Sequence, residues 1–149
     1  MAEPQHEAEL REILGEITQG PRTIAFVGIK DDPQADAYRI PRYMQEHGYR
    51  IVPVNPMLHS VLGEPAFASV TDVDMPLDVV DLFRAPEHVP GHTDEILTLD
   101  PLPGAVWMQL GIQHGASAAR LRAAGIRVVQ DRCIMVEHGR LLGPRAESR

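Results

Sequence analysis

Short apolar segments typical of β-strands alternate five times with segments of helical pattern, and this alternation restricts the possible folds more than any other feature. The five strand-like segments lie at 23–27, 49–56, 78–83, 104–111 and 126–131. They are apolar without strict alternation, as strands covered on both faces are. Strands that alternate with helices predict a parallel sheet with right-handed crossovers, and therefore the α/β class.

We predict a Rossmann-like doubly wound sheet of about five parallel strands in the order 3-2-1-4-5. The sequence does not determine the strand order, and the flavodoxin order 2-1-3-4-5 is the alternative. Ligands of such sheets bind in a crevice at the carboxyl ends of the strands, where the winding reverses. In the predicted order this crevice lies at the carboxyl ends of strands one and four.

The remaining segments predict helices around this sheet within one domain covering residues 1–149. A leading helix is expected within 1–20, because apolar residues recur there at helical spacing up to Gly20-Pro21. Pro41 should lie in the first turn of its helix, since an interior proline costs about 3 kcal/mol. The chain from Arg140 onward, including 143–149, is predicted to form a loose tail. The other predicted helices lie at 37–48, 85–101 and 115–125, with a short one near 69–73.

Composition argues against several classes of partner. The net charge of -7 and the pI of about 5.4 disfavour a general affinity for nucleic acid or anionic membrane. A single cysteine excludes an internal disulfide framework and fits a reducing compartment. The acidic, polar N-terminus is unlike a signal peptide, and no apolar run approaches the roughly 20 residues of a membrane span. We therefore expect a cytoplasmic protein that binds neither nucleic acid nor membrane.

The loop after the first strand predicts an anion site. A dinucleotide loop of the G-x-G-x-x-G type has three glycines, but here only Gly28 is present. Lys30, the only lysine in the chain, follows where backbone N–H groups and a helix N-terminus would face a phosphate. A solvated loop lysine is the alternative interpretation.

The end of the second strand disfavours a nicotinamide ligand. NAD sites usually place an Asp or Glu there to bind the ribose hydroxyls, whereas this chain has Asn55 followed by Pro56. A neutral amide lacks the charge that would repel a phosphorylated ribose. A plain turn at Asn55-Pro56 is the alternative interpretation.

The ends of the later strands supply further candidate residues. Arg84 follows the third strand, and its guanidinium suits a phosphate, with a surface ion pair as the alternative. Gln109 ends the fourth strand at the same edge of the sheet. Cys133 follows the fifth strand; a thiolate near an arginine can act as a nucleophile, but most lone cysteines are small buried apolar residues. No catalytic triad is recognisable, so we predict no catalytic residue.

The histidines do not predict a metal site. His88 and His92 are four residues apart, as a pair of metal ligands on one helix would be. Pro90 and Gly91 lie between them, and no third ligand has the spacing of a known motif. We therefore expect these histidines to be solvated.

Five of these motifs together resemble a bacterial family of small stand-alone CoA-binding proteins. The segments IAFVG, GYRIVPVNP, VVDLFR, VWMQLG and VVQDRC occur in the order and spacing of that family, over about Thr23 to Leu142. They also resemble the CoA-binding Rossmann domain of the succinyl-CoA synthetase α-subunit. The resemblance implies a Rossmann-like fold with coenzyme A as the ligand.

The resemblance also implies which positions contact CoA. Two departures affect the phosphate contacts: members commonly have a serine where this chain has Lys30, and many have Arg-Pro where it has Ala35-Asp36. The phosphate loop matches Gly28, Ile29 and Lys30, and the end of the second strand matches Val54, Asn55 and Pro56. The adenine-side loop matches Phe83, Arg84 and Ala85, and the end of the fourth strand matches Gln109. A cation in the first helix matches Arg39.

The function implied by this resemblance is the binding of CoA, or an acyl-CoA, without catalysis. A small acyl-CoA-handling enzyme is one alternative, although the chain is too short for the ATP-grasp and phosphohistidine segments of a ligase. An NAD(P)-binding redox-sensing module is the other, and Asn55 disfavours it. We also expect Cys133 to lie near the edge of the sheet along which the arm of CoA runs, where a mixed disulfide with CoA could form.

Overall fold

A sheet of five parallel strands forms the centre of the molecule, and each strand lies where the sequence predicts it. The structure is a computed structural model that describes residues 4–15 and 22–143. A small antiparallel pair, β3 (Ser60–Val61) with β4 (Glu64–Pro65), lies outside this sheet and is not predicted by the sequence. The sheet strands are β1 (Thr23–Val27), β2 (Arg50–Val54), β5 (Val79–Leu82), β6 (Ala105–Met108) and β7 (Arg127–Val129).

The predicted strand order is wrong, whereas the α/β class and the five parallel strands are confirmed. The observed order is β2-β1-β5-β6-β7, which is the flavodoxin alternative 2-1-3-4-5. The third predicted strand, β5, pairs with β1 and does not pair with β2. The winding therefore reverses between β1 and β5, and not between strands one and four.

Pro53 explains why β2 lies at the edge of the sheet. Proline has no N–H, so a strand that contains it must turn that position away from its neighbour. The carbonyl oxygen of Pro53 accepts the N–H of Phe67 at 3.0 Å, on the side away from β1, and Asn55 N–H donates to Phe67 O at 2.8 Å. The neighbouring residue Val54 faces β1 and accepts the N–H of Gly28 at 2.9 Å.

Five α-helices within residues 4–15 and 22–143 cover the two faces of the sheet. One apolar cluster joins α1, α2 and α5 to one face, and a second joins α3 and α4 to the other. Trp107 and Met108 of β6 are fully buried. No helix in the described ranges is long and apolar enough to span a bilayer. The helices are α1 (Pro4–Leu14), α2 (Asp36–Glu46), α3 (Val89–Ile96), α4 (Gly115–Ala123) and α5 (Ile134–Leu141).

The carboxyl-terminal part of the described chain is a helix, so the prediction of a loose tail from Arg140 is wrong. Arg140 lies in α5, where its guanidinium contacts Glu137 at 2.6 Å and Glu7 of α1 at 2.8 Å. The pair with Glu7 joins α5 to α1, and the buried face of α5 packs in the apolar cluster on the sheet. Residues 144–149 and the expected helix end at Gly20-Pro21 lie outside the described residues.

Pro41 lies in the interior of α2, and not in its first turn as predicted. The helix begins at Asp36, five residues earlier. An interior proline leaves the carbonyl oxygen four residues before it without its helical donor. Here that oxygen belongs to Ala37, and it accepts the backbone N–H of Lys30 at 3.1 Å. The proline thus provides an acceptor that fixes the loop after β1 on the helix.

Candidate functional site

A cavity of about 420 Å³ opens at the carboxyl edge of the sheet, beside the reversal between β1 and β5. Its volume is within the range of about 300–1,000 Å³ found for small-molecule sites. We call it the edge cavity. Residues that follow β5 and β6 line it, whereas the predicted crevice lies at the ends of strands one and four. Its wall is formed by Lys30, Ala35, Asp36, Ala37, Ile40, Phe83, Arg84, Ala85, Gln109, Leu110, Ile112 and Cys133.

Gly28 is required by the packing of two loops. Its φ is +89°, in the left-handed region that favours glycine. A Cβ atom at this position would lie 2.5 Å from the carbonyl oxygen of Phe83. The backbone N–H of Gly28 donates to Val54 O, so it is already used within the sheet. The lone glycine therefore allows the loop after β1 to approach the loop after β5.

Asn55 holds the loop after β1 from the other side. Its Nδ2 donates to the carbonyl oxygen of Ile29 at 2.7 Å, and its Oδ1 accepts the N–H of Met57 at 2.8 Å. The side chain of Ile29 is fully buried. Both polar ends of the Asn55 amide are thus engaged with the protein. Contact with a ligand stays a prediction for all eleven predicted binding residues. Six of them are not in the wall of the edge cavity: Gly28, Ile29, Arg39, Val54, Asn55 and Pro56.

Two cations line the edge cavity. Lys30 is exposed and Arg84 is half-buried, with its Cδ close to Gly28. Neither has a salt-bridge partner among the residues that the structure describes. Two unpaired positive charges at one cavity favour an anionic ligand, and the guanidinium fork of Arg84 matches a phosphate.

The first turn of α2 brings an acid to the same cavity. Asp36 is the first residue of the helix and lines the cavity, and its carboxylate is hydrogen-bonded to Arg39. Arg39, another predicted binding residue, is not in the cavity wall. The N–H groups of Tyr38 and Arg39 both donate to Ala35 O at 3.0 Å. The helix N-terminus attracts anions, but Asp36 already places a carboxylate there.

The loops after β5 and β6 form the opposite wall. Phe83 and Ala85, both predicted contacts, line the cavity, and the ring centroid of Phe83 lies 6.2 Å from that of Phe26. Gln109 is only 4% exposed, and its Oε1 accepts the N–H of Ile134 at 3.0 Å. Its Nε2 donates to no acceptor in the described part of the chain. The amide group can therefore donate to a ligand.

The apolar part of the wall was not predicted from the sequence. Leu110 and Ile112 flank Gly111 after β6, and Ile40 faces the cavity from α2. Leu110 is 70% exposed, which is high for such a large apolar side chain. Leu110 and Ile112 follow the carboxyl end of β6, and this position is the signal from which they could have been predicted. The cavity thus combines a cationic side with an apolar side.

Asp81 is a buried acid that was also not predicted from the sequence. It lies in β5 two residues before Phe83, so the two side chains share one face of the sheet. Asp81 is fully buried, and neither carboxylate oxygen has a hydrogen-bond partner within the described part of the chain. Burial raises the pKa of this carboxyl well above its usual value, because the charged form is deprived of water. The group is therefore neutral in the folded protein over a wider pH range than an ordinary aspartate.

The histidine pair shows no metal-binding arrangement in the described residues. His88 precedes α3 and lies 3.9 Å from the Glu87 carboxylate, whereas the Nδ1 of His92 lies 3.2 Å from Glu95. No group of three His, Cys, Asp or Glu side chains could hold an ion in residues 4–15 and 22–143. Cys133, in contrast, lies where the sequence places it, in the wall of the edge cavity.

Comparison with known proteins relates this chain to proteins that share both its sequence and its fold. A model described as the CoA binding domain matches residues 22–139. The chain is 37% identical over 131 residues to the uncharacterized protein YneT of Bacillus subtilis (strain 168), covering 88% of this chain and 93% of that protein. A solved structure from Thermus thermophilus is 45% identical, with a TM-score of 0.83 over 91% of this chain and 98% of that one. A dinucleotide-forming acetyl-coenzyme A synthetase of Ca. Korarchaeum cryptofilum shares the fold, at 22% identity and a TM-score of 0.61, over 73% of this chain and 25% of its own.

Proposed function

Because this chain belongs to the family of CoA-binding domains, we propose that it binds coenzyme A, or an acyl-CoA, in the edge cavity without catalysing a reaction. The observation that carries the proposal is that two cations without salt-bridge partners among the described residues, Lys30 and Arg84, line one cavity at the carboxyl edge of the sheet. Parallel sheets bind nucleotides at this edge, beside the reversal of winding.

The two sides of the cavity match the two parts of CoA. The molecule joins an adenosine carrying three phosphates to a pantetheine arm that has two amides and ends in a thiol. Lys30 and Arg84 suit the phosphates, whereas Leu110 and Ile112 offer apolar contact to the arm. Gln109 supplies an N–H donor between these regions for an amide carbonyl of the arm.

The geometry at the end of β2 supports CoA over NAD. An NAD site needs an acceptor there for the ribose hydroxyls. The Asn55 amide is instead bonded to Ile29 O and to the N–H of Met57. The residue therefore serves the loop, and the edge cavity offers no carboxylate at that strand end.

The composition of the cavity wall supports binding without catalysis. General acid–base and nucleophilic mechanisms need a base within hydrogen-bond reach of the reacting group. Among the described residues of the wall there is no histidine, and the one carboxylate there, that of Asp36, is paired with Arg39. Cys133 lies in the wall without a base beside it there. A binding module fits this arrangement better than an acyl-transfer enzyme.

Calorimetric titration of the reduced wild-type protein with CoA and with NADH tests the proposal. We expect saturable binding of CoA and none of NADH, with a thermal shift that agrees. A ligand that binds only the folded state stabilises it by about 2.7 kcal/mol at 100 times its Kd. Saturable NADH binding with no response to CoA would overturn the assignment. Acetyl-CoA incubated with the protein should release no free thiol, and steady release above the protein-free rate would show catalysis.

A further inference from the structure

We propose that Cys133 is a site at which CoA becomes covalently attached, by thiol–disulfide exchange with oxidised CoA bound in the edge cavity. This inference rests on the proposed function, because CoA must first occupy that cavity. It adds a covalent, redox-dependent state to a protein proposed only to bind its ligand reversibly.

The position of Cys133 provides access from two sides. The residue lines the edge cavity together with Lys30 and Arg84. It also lines a neighbouring cavity of about 370 Å³ that shares Leu110 with the first. The side chain is half-buried, and it does not cap the helix α5 that begins at the next residue. A thiol at the junction of two open cavities can be reached by an incoming disulfide.

Gln109 is a second, independent sign that a ligand passes Cys133. Gln109 is only 4% exposed and lines the edge cavity, and its Nε2 has no acceptor among the described residues. An amide donor on a largely buried residue normally has a partner. Its Oε1 accepts the N–H of Ile134, the residue directly after Cys133. The amide therefore lies at the start of α5, next to Cys133 in the chain, where an amide carbonyl of a bound pantetheine arm would satisfy the remaining donor.

The charges around the cavity orient the ligand. The two unpaired cations hold the phosphate end, so the opposite, thiol end of the arm extends past Gln109 toward the start of α5. Arg132 does not add to the cationic side, because its guanidinium lies 3.6 Å from the Glu137 carboxylate. Lys30, Arg84 and Cys133 all line this one cavity.

The chemical step needs no group beyond the protein and a CoA disulfide. The thiolate of Cys133 attacks one sulfur of the symmetrical disulfide, and a new S–S bond forms as the old one breaks. The released CoA thiolate takes up the proton that Cys133 lost. One disulfide is consumed and one is formed, so the protein thiol is oxidised and one CoA thiol is produced.

Intact-mass measurement after incubation with CoA disulfide tests the proposal. We expect the wild-type mass to rise by one CoA less two hydrogen atoms, and dithiothreitol to reverse the change. Cys133→Ser has no thiol, since the chain has one cysteine, and should remain unmodified. An unmodified wild type, or an equal mass increase in Cys133→Ser, would overturn the proposal.

A neutral disulfide separates directed attack from simple exposure of the thiol. Hydroxyethyl disulfide reports intrinsic reactivity, so we compare its rate with that of CoA disulfide in wild type, Lys30→Ala and Arg84→Ala. Each variant should lower the CoA-disulfide rate about tenfold more than it lowers the hydroxyethyl-disulfide rate. Equal loss with both reagents, or loss with neither, would show that the cavity does not direct the reaction. Calorimetry of the reduced wild type tests the proposed function separately: reversible CoA binding without an adduct contradicts only this inference.

Discussion

The backbone N–H of Lys30 donates to the carbonyl oxygen of Ala37, the oxygen that Pro41 leaves without a helical donor. The loop after β1 is therefore tied to α2 before any ligand arrives. The same bond removes the Lys30 N–H from the donors available to a phosphate. Any contribution of Lys30 to an anion must come from its side chain, which has no partner in residues 4–15 and 22–143.

Replacing either cavity cation should weaken CoA binding and leave the fold intact. A charge-assisted hydrogen bond is worth about 1.5–3 kcal/mol, so Lys30→Ala and Arg84→Ala should each raise the Kd about tenfold or more. Lys30→Arg should retain most of the affinity, because it keeps the positive charge and the backbone bond to Ala37 does not depend on the side chain. Calorimetry gives the Kd, and urea denaturation gives the free energy of unfolding.

Arg50→Ala is the matched control for these two variants. Arg50 is exposed at the amino end of β2, so it lies at the edge of the sheet opposite to the cavity. Its removal subtracts the same charge and should change the Kd of CoA little. A loss of affinity as large as that of Arg84→Ala would mean that net charge, and not local contact, governs binding.

Neutralising Asp36 should strengthen CoA binding. The carboxylate lies in the cavity wall at the N-terminus of α2 and is hydrogen-bonded to Arg39. Two like charges about 4 Å apart in water repel by about 1 kcal/mol, so Asp36→Asn should lower the Kd about fivefold. The substitution also releases Arg39 to contact the phosphates.

Asp94→Asn provides the comparison, because Asp94 is likewise an exposed helical acid paired with an arginine, Arg120, at 2.8 Å. It is not in the cavity wall. Its affinity for CoA should equal that of wild type. Unchanged or weaker binding by Asp36→Asn would show that the acid does not oppose the ligand.

Gly28→Ala should destabilise the protein by at least about 2 kcal/mol, since it combines left-handed backbone strain with steric overlap. The new Cβ would lie 2.5 Å from Phe83 O. Gly63→Ala isolates the backbone component: Gly63 has a φ of +78° but no atom within 4 Å of an added Cβ. Urea denaturation of both variants measures the difference. Equal destabilisation would mean that the approach of the two loops does not require Gly28.

The local apolar pattern was enough to place the strands but not to order them. Runs such as IAFV and AVWM are apolar throughout, which predicts burial on both faces, and the structure confirms it. Pairing between strands is set by contacts far apart in sequence. The one local signal was Pro53, whose missing N–H is compatible with an edge strand and not with the interior position that the order 3-2-1-4-5 would give β2.

The candidate site was likewise predictable only in part from the sequence. Arg84 and Gln109 were predictable because each directly follows a recognisable strand, and the carboxyl ends of parallel strands share one edge. The roles of Asn55 and Pro41 were not predictable, because each depends on a bond to, or an acceptor for, a residue in another segment. The sequence shows which residues follow the strands at the edge of the sheet. It does not show which of these residues form hydrogen bonds that hold the loops.

Asp81 should make the stability of the protein fall as the pH rises. Its folded-state pKa is raised well above the usual value because the carboxyl is buried, whereas the unfolded chain loses this proton near pH 4. Between these two pKa values the folded state binds one more proton than the unfolded state, so this group lowers the free energy of unfolding by about 1.4 kcal/mol per pH unit. Below the unfolded pKa its contribution is constant.

Asp81→Asn cannot ionise, so its stability relative to wild type should increase between about pH 5 and about pH 7. Urea denaturation at both pH values measures this, with the exposed Asp94→Asn as a control whose difference from wild type should stay constant. A difference between Asp81→Asn and wild type that is the same at both pH values would show that Asp81 is charged in the folded protein.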